Sequence, residues 1–296
     1  SMDPSHLIVL AIGIVGSLTI HLSQGLLKLA ILRRADGTGG HGNSARYAIG
    51  LILNFSAPLW VILANRFGPT VLYTSMYATG LLGLILFSCW KLGRPLRIAE
   101  IFATLLIILG SATVVLGYQR GGLASMETTA PGGLIAVGLI LTVSLLPGVR
   151  LADRLDWLPT GLVMGAFGGA FLALDSLLKG VAQAEGGAGG FLPVSGAGWA
   201  LFAISFLGAA AALGMTQWAH AKKQAPTATI AAYDAAYVAL PILVLPLAQG
   251  QGVRFDPICI GGLATVVAGL VFIAQVNRTS LKEGPAQPEA SERPPA

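Results

Sequence analysis

Long apolar runs, separated by short clusters of glycine, proline and charged residues, make up most of this chain. Nine stretches contain no Asp, Glu, Lys or Arg: 4–27, 47–65, 67–90, 101–119, 128–149, 157–174, 186–221, 235–253 and 257–277. Each stretch can hold the roughly 18–20 apolar residues with which a helix crosses a bilayer. The pattern therefore predicts a set of membrane-spanning helices.

We predict nine helices, numbered here as spans 1 to 9, at about 6–30, 45–64, 69–90, 98–118, 132–149, 158–182, 197–219, 226–248 and 256–276. The breaks between them carry glycine, proline or charge, as at Gly68-Pro69. After Asn277 the chain becomes polar and rich in proline, which predicts a disordered cytoplasmic tail over 278–296. The expected fold class is an all-α polytopic membrane protein.

The composition excludes several classes of protein. The chain has 296 residues, of which 54% are hydrophobic and 10% charged, with a mean hydropathy of +0.75. A soluble domain carries about 25% charged residues. This excludes a soluble enzyme, a nucleic-acid-binding protein and a secreted disulfide scaffold. Cys89 and Cys259 lie inside apolar runs and have no metal-ligand spacing.

The distribution of Lys and Arg predicts the orientation, because cytoplasmic loops retain these residues. With the N-terminus outside, fourteen of the eighteen Lys and Arg fall on the cytoplasmic side. The exceptions are Arg66, Arg120, Lys179 and Arg254. We therefore expect an integral protein of the cell inner membrane, with the N-terminus outside and the C-terminus in the cytoplasm.

An internal repeat divides the chain. Residues 64–97 align without gaps to 221–254, and eight of the 34 pairs are identical, against about three expected by chance from the biased composition. Spans 1–4 (residues 1–120) thus correspond to spans 6–9 (157–277), with span 5 and a cytoplasmic loop in 121–156. Because five crossings separate each span from its counterpart, the two halves have opposite orientation in the membrane. Inverted repeats are typical of secondary transporters, whose solute site lies between the halves, although channels contain them too.

Two carboxylates lie deep inside predicted spans, where a charge costs about 2.5–3.5 kcal/mol and indicates function by default. Asp175 is in span 6 and Asp234 is in span 8, and the repeat aligns them with Gln24 and Tyr77. A charged group in only one half suits the coupling of a cation or proton to transport. The alternative is a structural role, and Asp175 has Lys179 four residues later on the same face.

Other polar side chains extend the candidate solute site. Tyr233, Tyr237 and Thr229 share the region of Asp234, and an aromatic pair beside a carboxylate suits an organic cation. Packed or interfacial tyrosines are the alternative. His21 lies one turn before Gln24 and could relay protons, or it could be hydrogen-bonded structure.

Three further features have structural interpretations. Asn54 in span 2 could line the site or bond between helices. We expect His220, at the end of span 7, to snorkel to the interface. The stripe Gly161, Gly165 and Gly169 predicts close packing of span 6 against another helix.

The layout resembles the drug/metabolite transporter superfamily, whose members are built from inverted helical repeats and usually have ten helices. Nine helices and an outside N-terminus are closer to its NIPA-like branch, which is associated with magnesium transport. Segments 54–57 (Asn-Phe-Ser-Ala), 69–72 (Pro-Thr-Val-Leu) and 165–179 are similar to parts of that branch. The resemblance implies a Mg²⁺ pathway with Asp234 and Asp175 as candidate ligands.

These observations predict a carrier that moves a small polar or cationic solute by alternating access. The alternatives are a NIPA-type Mg²⁺ transporter and, from another class, a membrane-embedded scaffold or enzyme. The chain has no nucleotide-binding loop and no Ser/His/Asp arrangement, so we expect neither a cofactor nor catalysis. The expected partners are membrane lipid and the solute, and the sequence leaves a homodimer open.

Overall fold

The computed structural model describes residues 4–35, 37, 40–91, 93, 95–120, 129–155, 159–187, 190–222, 226–248 and 256–282. These residues form helices without any strand. Nine helical stretches among them are long and apolar enough to cross a membrane. The all-α polytopic membrane fold expected from the hydrophobic pattern is confirmed.

Seven of the nine predicted spans are single helices among the described residues. Their bounds are Pro4–Ala35, Ile98–Arg120, Pro131–Arg154, Thr160–Ala184, Gly196–Ala221, Pro226–Ala248 and Pro257–Lys282, for spans 1, 4, 5, 6, 7, 8 and 9. Several extend past the predicted ends because a helix continues into the interface beyond its apolar core. Span 9 corrects one expectation, since residues 278–282 are helical and do not belong to a disordered tail. The remainder of the predicted tail, 283–296, lies outside the described residues.

Span 2 is interrupted near its centre. It consists of the helices His41–Phe55 and Ala57–Phe67. Pro58 follows the break and has no backbone N–H to donate to the preceding turn. The Ser56 hydroxyl donates to the carbonyl of Leu53 at 2.6 Å, which satisfies one acceptor at the break. The sequence therefore contained a signal for this interruption.

Span 3 is interrupted without a proline. It consists of the helix Thr70–Ser75, the 3₁₀ turn Tyr77–Thr79 and the helix Gly80–Lys91. The Ser17 hydroxyl of span 1 accepts from the backbone N–H of Gly80 at 2.9 Å and donates to the carbonyl of Tyr77. A side chain from another span thus bonds to both ends of the irregular turn. Such breaks inside a bilayer are tolerated where neighbouring groups satisfy the freed backbone.

The helix packing brings particular spans together among the described residues. Span 6 packs against spans 7 and 8, span 1 packs against spans 2 and 3, and span 4 packs against span 9. Spans 3 and 8 contact each other across the centre. These pairs agree with the predicted correspondence of spans 1–4 to spans 6–9, but the inverted repeat itself stays a prediction. Its aligned pairs that include residues 249–254 lie outside the described residues.

The predicted glycine stripe lies where spans 6 and 8 approach most closely. A Cβ atom added to Gly165 would collide with the carbonyl oxygen of Thr229, and one added to Gly169 would collide with that of Tyr233. Small residues allow this backbone contact. The expectation that the stripe serves packing is confirmed at these two positions.

Candidate functional site

A buried pair of titratable side chains joins span 1 to span 8, away from the ends of both helices. His21 of span 1 and Asp234 of span 8 are at most 1% exposed, and their Nε2 and Oδ2 atoms are 2.9 Å apart. His21 lies near the centre of a 32-residue helix. Asp234 is eight residues from the start of its helix, about 12 Å at 1.5 Å per residue. Neither side chain reaches an end of its helix.

The hydrogen bonds around His21 assign its protons. Nδ1 lies 2.8 Å from the carbonyl oxygen of Ser17, which can only accept, so Nδ1 carries a proton. The Ser17 hydroxyl proton is already donated to the carbonyl of Tyr77. The contact between Nε2 and Asp234 therefore needs one further proton, either on the imidazole or on the carboxyl group. The contact between Nε2 and Oδ2 thus holds one shared proton, and the second oxygen of Asp234, Oδ1, accepts no hydrogen bond from the described residues.

Four tyrosines form a cluster beside this pair. Tyr73 and Tyr77 come from span 3, while Tyr233 and Tyr237 come from span 8. Neighbouring ring centroids in the cluster lie 4.6–6.5 Å apart, and the Tyr77 ring lies 5.3 Å from that of His21. The Tyr237 hydroxyl is 2.7 Å from that of Ser176 in span 6. The aromatic cluster thus encloses the ion pair at the contact between spans 3 and 8.

A cavity of about 190 Å³ lies next to the cluster. Gln24 and Asn54 contribute amide groups to its wall, and Tyr233 contributes an aromatic ring. Gln24 is 5% exposed, and its Oε1 accepts no hydrogen bond from the described residues. The Asn54 Nδ2 donates to the hydroxyl of Ser23 in span 1 at 3.2 Å. This is the bond between helices that was one of the two predicted roles of Asn54. Asn54 therefore both bonds to a neighbouring span and lines the cavity.

Asp175 lies in a separate ion pair. Its Oδ1 contacts the Nζ of Lys179 one turn later, and both side chains are fully buried. Lys179 also lies 4.0 Å from the ring centroid of Phe206 in span 7. Phe206 lines the cavity, whereas neither member of the pair does. The pair thus lies behind the cavity wall. This arrangement agrees with the alternative that Asp175 has a structural role, paired with Lys179.

Polar contacts connect the halves on either side of the cavity. Gln183 of span 6 donates to the carbonyls of Ile62 and Phe191 at 3.1 and 3.0 Å, and it accepts from Asn65 of span 2 at 3.0 Å. At the opposite ends of the spans, the Lys28 Nζ of span 1 donates to the carbonyl of His220 in span 7 at 3.2 Å. We call these contacts the Gln183 latch and the Lys28 latch.

The expected snorkelling of His220 is wrong. The residue is 1% exposed, because it packs beneath neighbouring helices at the end of span 7. Its backbone carbonyl, not its ring, makes the contact with Lys28.

The structure brings most predicted site residues together. Asp234, His21, Tyr77, Tyr233 and Tyr237 share the central cluster. Thr229 is fully buried one turn before Tyr233, where its backbone faces span 6. Thr229 and Asp175 are the predicted members that lie outside both the cluster and the cavity wall.

Three participants were not singled out from the sequence: Ser17, Tyr73 and Ser176. Tyr73 had a usable signal, since it precedes Tyr77 by four residues, the same spacing as Tyr233 and Tyr237. The two serines act through contacts between spans, and serine is common on packed membrane helices, so their positions gave no signal.

The described residues contain no group of three or more His, Cys, Asp or Glu side chains that could hold a metal ion. Comparison of the chain with protein-family profiles, with curated proteins and with solved structures gives no significant match.

Proposed function

We propose that this protein is a secondary transporter, which moves a small polar or cationic solute by alternating access through the region between its two halves. The observation that carries the proposal is the buried pair of His21 and Asp234. It joins span 1 to span 8, holds one proton and lies beside a cavity. Ionisable groups inside a membrane are rare, and they mark solute or proton pathways by default.

The chemistry of the pair suits coupling to protons. When the shared proton leaves, a neutral imidazole nitrogen faces a carboxylate, and the two lone pairs repel each other. The contact between spans 1 and 8 would then weaken, and the halves would separate more easily. A proton or a cationic solute that reaches Asp234 Oδ1 would restore the neutral arrangement. One charge would thus be linked to the relative position of the halves.

The Gln183 latch and the Lys28 latch lie at opposite ends of the spans, where the two halves would separate. Both connect spans of different halves through a side chain and a backbone carbonyl near a helix end. Alternating access requires that such contacts open in turn. With the orientation that Lys and Arg predict, the Gln183 latch faces outside and the Lys28 latch faces the cytoplasm. We infer location in the cell inner membrane on the same basis.

The magnesium pathway implied by the NIPA-like resemblance is the competing proposal. Mg²⁺ keeps several waters and needs few protein carboxylates. Here Asp234 and Asp175 already have basic partners, His21 and Lys179, which favours a proton-linked carrier over a Mg²⁺ path lined by these two carboxylates. Measuring proton movement and Mg²⁺ entry in parallel distinguishes the two pathways.

Proteoliposomes with a trapped pH dye and, in parallel, a trapped Mg²⁺ dye test the proposal. Butyramide, choline chloride and magnesium chloride serve as probes under an imposed pH gradient. We expect butyramide or choline to cause proton movement in the native protein. Asp234→Asn should abolish it, because the amide cannot exchange the shared proton. Asp153→Asn, which alters a half-exposed acid at the end of span 5, is the matched control and should retain it.

Each other outcome decides against the proposal. Mg²⁺ entry that depends on Asp234, without response to the organic probes, would select the magnesium pathway. Proton movement that Asp153→Asn and Asp234→Asn reduce equally would place the pair outside the pathway. Absence of all three responses in the native protein would contradict transport of these solute classes and favour the scaffold alternative.

A further inference from the structure

The cavity next to Gln24 is associated with a buried hydrogen-bond acceptor to which no described residue donates. Gln24 lines this cavity, and its buried Oε1 accepts no hydrogen bond from the described residues. Leaving a buried acceptor unpaired is unfavourable, because the oxygen has lost its hydrogen bonds to water and gained none in the protein. A bound molecule with an O–H or N–H group would satisfy this oxygen. The unpaired Gln24 Oε1 therefore indicates a ligand that donates a hydrogen bond at this position.

The rest of the wall indicates the body of that ligand. It is mainly apolar, with Ile20, Leu172 and Leu213 among its residues, and it includes no charged side chain. A charge without a partner is costly to bury in such surroundings. The volume of about 190 Å³ equals roughly six water molecules at 30 Å³ each. The cavity thus fits a small uncharged molecule with a slim apolar part.

The cavity opens towards the side of the molecule. Phe55 and Phe206 lie in its wall and are 62% and 41% exposed. Phe206 is ten residues inside its helix, about 15 Å from the nearer end, which places it at membrane depth.

The latches cross the gap above and below this opening. Gln183 holds span 2 to the segment before span 7, and Lys28, one turn beyond Gln24, holds span 1 to span 7. The opening between spans 2 and 7 therefore faces the hydrocarbon of the bilayer.

We propose that this cavity is the solute site of the transporter, and that it takes a small uncharged amphiphile from the bilayer, with its donor group on Gln24 Oε1. The inference rests on the proposed function and narrows its solute class. The proton pair and the solute site share two helices, since His21 is one turn from Gln24 and Asp234 follows Tyr233. Protonation of the pair and occupation of the cavity would therefore move the same spans.

Photolabelling in proteoliposomes tests the site without requiring transport. A diazirine-bearing six-carbon alcohol is activated by light, and the labelled residues are identified by mass spectrometry. We expect adducts at cavity residues such as Ala209 and Tyr233. Ala209→Phe should remove them by filling the space. Ala200→Phe, which alters an exposed position two to three turns away on the same helix, should leave them unchanged.

Competition tests the hydrogen bond. Hexan-1-ol should displace the label about three- to tenfold better than methyl pentyl ether, which has the same number of heavy atoms but no donor. Gln24→Leu should remove this difference, and comparing the two ratios cancels the partition of each probe into lipid. Equal competition in the native protein, stronger competition by hexylammonium, or cavity adducts that persist in Ala209→Phe would overturn the inference.

Different results would overturn the transporter proposal and the solute-site proposal. Asp234→Asn, which should lose proton movement, should keep the cavity adducts because Asp234 does not line the cavity. Proton movement without cavity labelling would overturn the solute site alone. Cavity labelling without any flux would leave a binding site and contradict the transporter.

Discussion

His21 and Asp234 are separated by 213 residues, yet their side chains form a 2.9 Å contact with almost no exposure to the surroundings. The Ser17 carbonyl fixes one proton on Nδ1, so the contact itself holds the second. One proton thus determines whether span 1 and span 8 attract each other. In the proposed transport cycle, the packing of span 1 against span 8 would therefore depend on this proton.

Removal of one partner should destabilise the protein strongly. His21→Leu leaves Asp234 buried without a cation, for which we expect a loss of about 3–5 kcal/mol. Adding Asp234→Asn should recover most of the loss, because the carboxylate is then absent. Thermal unfolding in detergent measures both, with His6→Leu near the start of the same helix as control. A double variant as unstable as His21→Leu would show that the charge is not the cause.

We expect the ion pair of Asp175 and Lys179 to stabilise the fold without taking part in transport. Lys179→Met alone leaves Asp175 buried without its partner and should cost about 3–5 kcal/mol. The double replacement Asp175→Leu and Lys179→Met should be nearly as stable as the native protein, since apolar groups of similar volume replace a buried pair well. Because neither residue lines the cavity, we also expect the double variant to retain proton movement in proteoliposomes. Loss of that movement in a stable double variant would place Asp175 on the pathway.

Close packing of spans 6 and 8 makes Gly165 far more sensitive to substitution than Gly214. Gly165→Ala places a Cβ against the backbone carbonyl of Thr229, and neither backbone can move without separating the helices. We expect a lower unfolding temperature and reduced yield of monodisperse protein. Gly214→Ala in span 7 has open space around the added Cβ, so it should be neutral or stabilise by up to about 1 kcal/mol. Equal effects of the two substitutions would contradict the packing.

The sequence predicted the helices well and the site in part, for identifiable reasons. Apolar runs decide where a chain spans a bilayer, so the nine spans followed from residue types alone. The buried acids were found because charge in such runs is conspicuous. The partner of Asp234 was not assigned, because the contact of His21 with span 8 depends on how distant helices pack.

The interruption of span 3 could not be predicted from the sequence either, because it depends on a contact with a distant helix. No proline or glycine pair marks residues 76–79, and the turn is stabilised by the Ser17 hydroxyl of another helix. Ser17→Ala would leave the N–H of Gly80 and the carbonyl of Tyr77 without this partner, at a cost of about 1–3 kcal/mol. Thermal unfolding checks the value, and Ser144→Ala in span 5, whose hydroxyl donates to Ile140 of its own helix, is the control. A shift no larger than that of the control would contradict the bridging role.

The Gln183 latch should open during transport. Its side chains Asn65 and Gln183 are 3.0 Å apart between Nδ2 and Oε1, so cysteines at both positions can be joined by a short bifunctional thiol reagent. With Cys89→Ser and Cys259→Ser as background, we expect cross-linking to stop proton movement almost completely, because one face of the molecule can no longer separate. A reductant that cleaves the linker should restore it, and each single cysteine should be unaffected by the reagent. Undiminished proton movement in the cross-linked protein would show that the halves need not part here, and would place the moving contact elsewhere.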